Sequence, residues 1–283
     1  MRNIDFAWER VIYKKYINSS YKMLTFLHNV GYTMKNHFKE EYMGRSKNCK
    51  FIITLLVLFV VTTFILMLNA CNDDNSKELT LDEEIAEISK STLGDVVHFG
   101  KYQQKSKNDN KKDMIEWLVV DKSGNDVLLV SRYILDAKYI YPNTTSNSTL
   151  QIWSNSYIRN WLNSTFMKTA FSNDEITYIS DTTISDADCG YSVDKVFLLS
   201  ASQVRRYFNS ADNRKAQATK YAIANGSGND WWTRSKPEKG TQVALQLRFA
   251  YVNSDGEIGT DGYDCAAGYM DMGVRPAIWV SIK

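Results

Sequence analysis

Three groups of side chains in this 283-residue chain have types and spacings that could do chemistry. The first is Trp231-Trp232-Thr233-Arg234. Flat aromatic faces stack on sugar rings and a guanidinium fixes hydroxyls, so the segment is a candidate glycan contact. Adjacent strand residues point to opposite sides, so at most one of the two Trp is expected to be free for a ligand. The second group is acidic. Asp255, Glu257, Asp261, Asp264 and Asp271 crowd one Gly-rich stretch, and Asp186 and Asp188 share another. Asp255, Asp261 and Asp264 complete the expected ligand-binding set with Trp231, Trp232 and Arg234. Hard oxygen donors in such loops also suit Ca²⁺, although their spacing matches no EF-hand and acidic loops are commonly just solvated. No other cofactor or metal is expected.

The third group is the cysteines. Cys189 and Cys265 sit in Asp188-Cys189-Gly190 and Asp264-Cys265-Ala266, both loop-like. In an oxidising compartment they form either a disulfide or two free thiols. Cys71 closes Leu68-Asn69-Ala70-Cys71, after a basic stretch, Met43–Lys50, and eighteen uncharged residues, Phe51–Leu68. That is the layout of an export signal with a small residue before its cut.

The catalytic inventory is thin. Beyond Cys71 the only histidine is His98, beside Phe99 in a strand-like run. Ser-His-Asp and Cys-His machinery must use it or be absent, and a lone strand histidine is expected to be a satisfied structural residue. Zinc sites built from several His or Cys are excluded on count. No catalytic residue is assigned; what remains for an enzyme is a carboxylate pair in one cleft, about 5–10 Å apart.

The elements that must position these groups begin with the anchor. The Leu68–Cys71 tetrapeptide resembles the lipobox of bacterial lipoproteins, which implies a diacylglycerol on Cys71. The rival reading is an uncleaved transmembrane helix, since eighteen residues span ~27 Å at 1.5 Å each against a hydrocarbon core of roughly 30 Å. Residues 1–50 carry ten Lys/Arg against four Asp/Glu, and residues 72–90 two against seven, so both readings place the C-terminal part outside the cytoplasm. Residues 1–42 are either amphipathic helices on the inner membrane surface or upstream of a true start at Met34 or Met43.

The overall charge of +2 mixes two compartments. After Cys71 there are 24 Lys/Arg and 28 Asp/Glu, so the exported part has no electrostatic footprint for nucleic acid. Its length from Cys71 suits a single core. Residues 72–93 read as an acidic tether with a short helix, because Thr80-Leu81-Asp82-Glu83 spells a capping box and Leu81, Ile85 and Ile88 share a face. Residues 94–283 form the globular domain. Asp95–Gly100 reads as a strand, and Ile115–Val120 and Asp126–Ser131 as a hairpin turned at Gly124-Asn125. Residues 103–113 and 142–149 read as loops. Ser154 is a candidate cap for a helix bearing Tyr157, Ile158, Trp161 and Leu162, followed by a second around Phe166–Phe171. Val196–Leu199 reads as a buried strand and Ser202 as the cap of Gln203–Phe208. Val243–Val252 and the run after Pro276 are strand-like. Hairpins and short helices without regular βα alternation give an α+β class with a mixed or antiparallel sheet, preceded by one signal or membrane-spanning helix.

On these segments five blocks in order resemble a family of bacterial surface domains of unknown function, common in lipoproteins of Gram-positive gut and soil bacteria. They are Gly94–Tyr102, Ile115–Val119, Ile158–Asn163, Asp194–Ser200, and finally Trp231–Ser235 with Gly273–Trp279. The resemblance covers roughly residues 94–283. More distantly, Trp232-Thr233-Arg234-Ser235 followed by Gly273-Val274-Arg275 is similar to C-type-lectin-like folds, which implies that the first and last strands pair, Val96–Phe99 beside Ile278–Ile282. The copper-binding cysteine pair of the formylglycine-generating enzymes, which share such folds, is not matched by Cys189 and Cys265. The expected function is a membrane-anchored extracytoplasmic binding or adhesion module for glycans. The alternatives are an enzyme acting on cell-wall polymers through two carboxylates and a structural envelope protein.

Overall fold

Thr80 opens the first helix as its spelling predicts. Its hydroxyl accepts from the Glu83 N–H, and the Glu83 carboxylate accepts from the Thr80 N–H at 2.9 Å, so two orphan donors of helix α1 (Leu81–Lys90) are satisfied reciprocally. The computed structural model describes residues 78–282 except 109, 142–151, 187, 241–247 and 265–271; the export segment, Cys71, Cys265, Asp271 and the 142–149 loop lie outside them. Among the described residues no helix is long and apolar enough to cross a membrane. Helix α1 is more than a spacer. Ile88 is fully buried and Leu81 and Ile85 pack on the same core, so the globular body includes this helix.

The body is α+β. Strands β1 (Val96–Gln103), β2 (Lys112–Ser123), β3 (Asp126–Ser131), β12 (Ala277–Ser281) and β7 (Val196–Phe197) form one sheet in the order β1-β2-β3-β12-β7, antiparallel throughout. The β2–β3 hairpin turns at Gly124, whose φ of +60° needs a residue without Cβ. Gly100 bulges β1: its φ is +69°, and a Cβ there would lie 2.5 Å from the Phe171 ring. The second sheet has the order β10-β9-β8-β11-β4, from β4 (Asp136–Ala137), β8 (Trp231–Trp232), β9 (Arg248–Val252), β10 (Ile258–Asp264) and β11 (Gly273–Val274). It is mixed, because β8 and β11 run parallel. A small ribbon pairs β5 (Thr182–Ile184) with β6 (Ser192–Asp194).

The expected pairing of first and last strands is not formed. β12 lies between β3 and β7, and two strands separate it from β1, because β2 and β3 follow β1 as consecutive hairpin strands and take the neighbouring places.

Tyr157 to Ala170 runs as α2 (Tyr157–Trp161), a π-turn (Leu162–Phe166) and α3 (Met167–Ala170). Ile158, Trp161, Leu162, Phe166 and Ala170 turn inward, as their spacing predicts, whereas Tyr157, expected with them, is 42 % exposed at the first position of the helix. The cap is Ser156, not Ser154, which lies in a single 3₁₀ turn. Helix α4 (Asn173–Tyr178) follows with its own Ser172–Glu175 capping box. Helix α5 (Ala201–Tyr207) starts at Ser200, not Ser202: the Ser200 hydroxyl accepts from the Gln203 N–H at 3.2 Å. Two short helices, α6 (Ala211–Arg214) and α7 (Lys220–Ala224), complete the described set. Trp117, Phe99, Phe171, Phe166 and Tyr102 interlock between β1, β2 and the α2–α3 segment, with ring centroids 5.0–6.3 Å apart. Such pairs add about 0.5–1.5 kcal/mol each beyond area burial.

Candidate functional site

Both tryptophans of β8 are inside: Trp231 is 0 % and Trp232 1 % exposed. Their indole N–H groups donate to the carbonyls of Arg214 (3.2 Å) and Lys138 (3.0 Å). Alternation does send them to opposite faces of the sheet, but both faces are covered, so neither ring offers a stacking surface. Arg234 is also buried. Its guanidinium donates to the Leu198 carbonyl (2.8 Å), Gln203 Oε1 (2.6 Å) and Asp186 Oδ2 (2.7 Å). It ties β8 to the start of α5 and to the Asp186 loop, and is a structural cross-link rather than a ligand contact.

Asp255 and Asp261 are exposed, at the β9–β10 turn and on β10. Asp264 ends β10, and its side chain is outside the description. With the Trp–Arg segment internal, the expected ligand set does not come together on one surface. Among the described residues no three His, Cys, Asp or Glu converge as a metal-binding group. Cys189 is a free, buried thiol, and Cys265, the other cysteine of the expected pair, lies outside the described residues; the Cys189 Sγ lies 3.4 Å from the Arg234 carbonyl oxygen. Burial, then Asp188, push its pKa well above the usual thiol range, so the inert thiol dominates. Iodoacetamide is expected to leave Cys189 unmodified in the folded protein and to label it fully after denaturation, read by peptide mass spectrometry. His98 faces helix α1, with Nδ1 3.2 Å from Glu87 Oε1 and its backbone N–H on Glu87 Oε2 at 3.0 Å.

Two surface grooves gather polar side chains instead. The first, of about 560 Å³, lies between β2 and α5. Leu118 and Val120 form its apolar side, and Asp121, Arg206, Tyr207 and Asn213 its polar side. The Tyr207 hydroxyl donates to Asp121 Oδ2 at 3.0 Å, Arg206 Nη2 is 3.5 Å from the same oxygen, and the Arg206 guanidinium lies over the Tyr207 ring. Burial, then the Asp121 hydrogen bond and charge, push the Tyr207 hydroxyl up to about 12, so it remains a neutral donor. The second groove, of about 420 Å³, lies between α1 and α4, with Glu84, Glu175, Lys101 and Lys168 in its wall. Sequence reasoning passed over both. Asp121 read as a hairpin-turn residue and Tyr207 as part of a helix face; 86 positions separate them, and no local pattern links them.

The recurring blocks are architectural. Arg159 of the Ile158–Asn163 block donates through Nε to Asp194 Oδ1 at 2.6 Å, and buried Asp194 also accepts from the Trp153 indole and the Ser192 hydroxyl. The Asn163 amide caps the start of β7, accepting from the Lys195 and Val196 N–H groups and donating to the Val196 carbonyl. Arg275, 1 % exposed, donates to the Ser131 and Arg214 carbonyls between the rings of Phe208 and Trp231. Burial lowers its pKa to about 9.

The described body is α+β, with two five-stranded sheets, and Arg159, Asp194, Arg234 and Arg275 are committed to hydrogen bonds within it. The chain belongs to the family described as Domain of unknown function (DUF6273), matched over residues 124–282. The match takes in the Ile158–Asn163, Asp194–Ser200, Trp231–Ser235 and Gly273–Trp279 blocks and stops short of the first two. Helix α1, β1 and the whole of β2 lie before it. No curated protein and no solved structure matches the chain.

Proposed function

We propose that the protein is a membrane-anchored extracytoplasmic binding module whose ligand is a glycan, taken up in the groove between β2 and α5. One observation carries this reading: a phenol, a carboxylate and a guanidinium share one point of that groove beside an apolar wall. Sugars present apolar C–H faces flanked by hydroxyls, and such a mixed lining suits them. Asp121 and Arg206 replace Trp232 and Arg234 as the polar contacts. The anchor part of the proposal rests on the Phe51–Leu68 span and on Cys71 as its lipidated residue, with the body outside the membrane by the charge asymmetry. A C-type-lectin-like origin belongs to the same proposal; it draws on the Trp232–Ser235 and Gly273–Arg275 segments, and the separation of β12 from β1 speaks against it.

The test is a glycan array, spanning cell-wall and host structures, probed with the full chain in detergent. Asp121→Ala and Arg206→Ala are each expected to weaken binding tenfold or more, with unchanged circular dichroism. Absence of any bound glycan, or binding indifferent to both substitutions, would remove the proposal. The enzymatic alternative draws on Glu84 and Glu175. They line one groove, but Glu84 is buried and so not open to a substrate; the binding reading is the better supported.

A further inference from the structure

We infer that the groove between β2 and α5 takes an acidic glycan, a sugar chain bearing uronic acid carboxylates, and that the guanidinium of Arg206 holds the carboxylate. The inference rests on the glycan reading of that groove and adds the chemical class of the sugar.

The other cations on the groove's own elements are engaged within the protein. On β2, Lys112 donates to the Thr169 carbonyl at 2.6 Å and Lys122 to the Ser91 carbonyl. On α5, Arg205 pairs with Glu238 at 2.5 Å. On α6, Arg214 donates through Nε to the Gly256 carbonyl at 2.6 Å and through Nη1 to that of Phe208 at 3.0 Å. The neighbouring carboxylates are matched too: Asp113 with Lys105 at 2.9 Å, Glu116 with Arg132 at 2.6 Å and Asp212 with Lys215 at 2.8 Å.

Arg206 stands apart. Its side chain is 72 % exposed, and its one ionic partner is Asp121, with Nη2 3.5 Å from Oδ2. Among the described residues its Nε and Nη1 have no acceptor. A contact that long between exposed groups holds the guanidinium weakly, whereas the Tyr207 ring, with its centre 5.4 Å away, gives it a flat seat. Asp121 is better supplied. Its Oδ2 accepts from the Tyr207 hydroxyl at 3.0 Å and its Oδ1 from the Lys122 N–H at 2.9 Å. The phenol proton is committed to that bond, so the hydrogen-bonding capacity left for a ligand is chiefly that of a cationic donor.

A group that accepts without donating fits such a lining. A carboxylate does so through two coplanar oxygens, and the parallel N–H groups of a guanidinium match their spacing. A neutral sugar hydroxyl offers one oxygen and brings a proton that needs its own acceptor. On a uronic acid the carboxylate projects from the edge of the ring. The apolar C–H face can then lie on Leu118 and Val120 while the acid reaches Arg206. Leu93, 64 % exposed on the same groove, extends that wall. Arg205 supplies the contrast: it is the preceding residue of α5, but its charge is closed by Glu238.

The experiment is an array of neutral, uronic acid and sulfated glycans probed with the full chain in detergent, each uronic acid glycan printed beside its carboxyl-reduced form. Binding is expected to concentrate on the uronic acid glycans, tenfold or more above their reduced forms. The strongest of them and its methyl ester are then titrated in solution. The acid should bind at least tenfold more tightly than the ester, with the ratio falling in about 1 M salt. Arg206→Ala should bring acid and ester within twofold of each other, and Arg205→Ala should keep the difference. Equal binding of acid and ester, hits confined to neutral or to sulfated glycans, or a preference that survives Arg206→Ala or is lost equally with Arg205→Ala would overturn the inference and leave the glycan reading standing. No bound glycan of any class would remove both.

Discussion

Arg275→Ala is expected to destabilise the fold by about 3–5 kcal/mol, the range for truncating a large, fully packed side chain. The residue sits where the chain leaves the second sheet at β11 and enters the first at β12. Its Nε donates to the Ser131 carbonyl at 2.9 Å and Nη1 to the Arg214 carbonyl at 3.2 Å, and its guanidinium lies 4.9 Å from each of the Phe208 and Trp231 ring centres. Alanine leaves both carbonyls without that donor and opens a gap between two rings, so desolvation and cavity costs add. Among the described residues no carboxylate pairs with it, so burial of the charge is itself a cost and the gain comes from carbonyls and π faces. Arg275→Met, which keeps the length and removes the charge, should therefore lose clearly less than alanine. Urea denaturation followed by tryptophan fluorescence reads both. A loss below about 1 kcal/mol for alanine would contradict the assigned role.

The second large effect is expected at Asp194. Its carboxylate accepts from the Trp153 indole (2.8 Å), the Arg159 Nε (2.6 Å) and the Ser192 hydroxyl (2.8 Å), and its side chain is wholly out of solvent. Asp194→Ala strands three donors, one of them charged, and should cost about 3–5 kcal/mol. Asp194→Asn keeps the shape and one acceptor oxygen and should fall between alanine and wild type. The double variant with Arg159→Ala should recover part of the loss, with a coupling of about 1–3 kcal/mol, since removing the guanidinium also removes the uncompensated charge. Additive single losses would mean that the two residues do not act as a pair.

These two sites show where sequence patterns stop being informative. The Arg159–Asp194 and Arg275–Ser131 contacts join residues 35 and 144 positions apart. Both arginines lie in blocks that sequence reading singles out, but neither partner is predictable from spacing. The same limit explains the misread site. Trp-Trp-x-Arg looks like a ligand platform because flat rings stack on sugars and a guanidinium fixes hydroxyls, but the same rings stabilise a core when buried; whether they are buried depends on what covers each face of β8, and that cover comes from distant segments. The two helix caps misassigned by two residues have a related origin. Ser154 and Ser156, like Ser200 and Ser202, are each a competent cap in isolation. For α5, Ser200 is placed by packing of the Val196–Leu199 run and by the Ala201 N–H donating to the Ser235 hydroxyl, 34 positions away.

What could be read from the chain alone is what hydrogen bonds and periodicity within a few residues dictate. The Thr80–Glu83 box starts a helix, Gly124 turns a hairpin, and the apolar rhythm from Tyr157 to Phe171 lays down a helical segment, all matched by the fold. The α+β class follows from the same local signals. Sheet order, the burial of Trp231, Trp232 and Arg234, and the meeting of Asp121 with Tyr207 follow from long-range closure instead. Their free energies come from desolvation and from partners that approach only once the two sheets and the helices around them are assembled, so no window of sequence contains them.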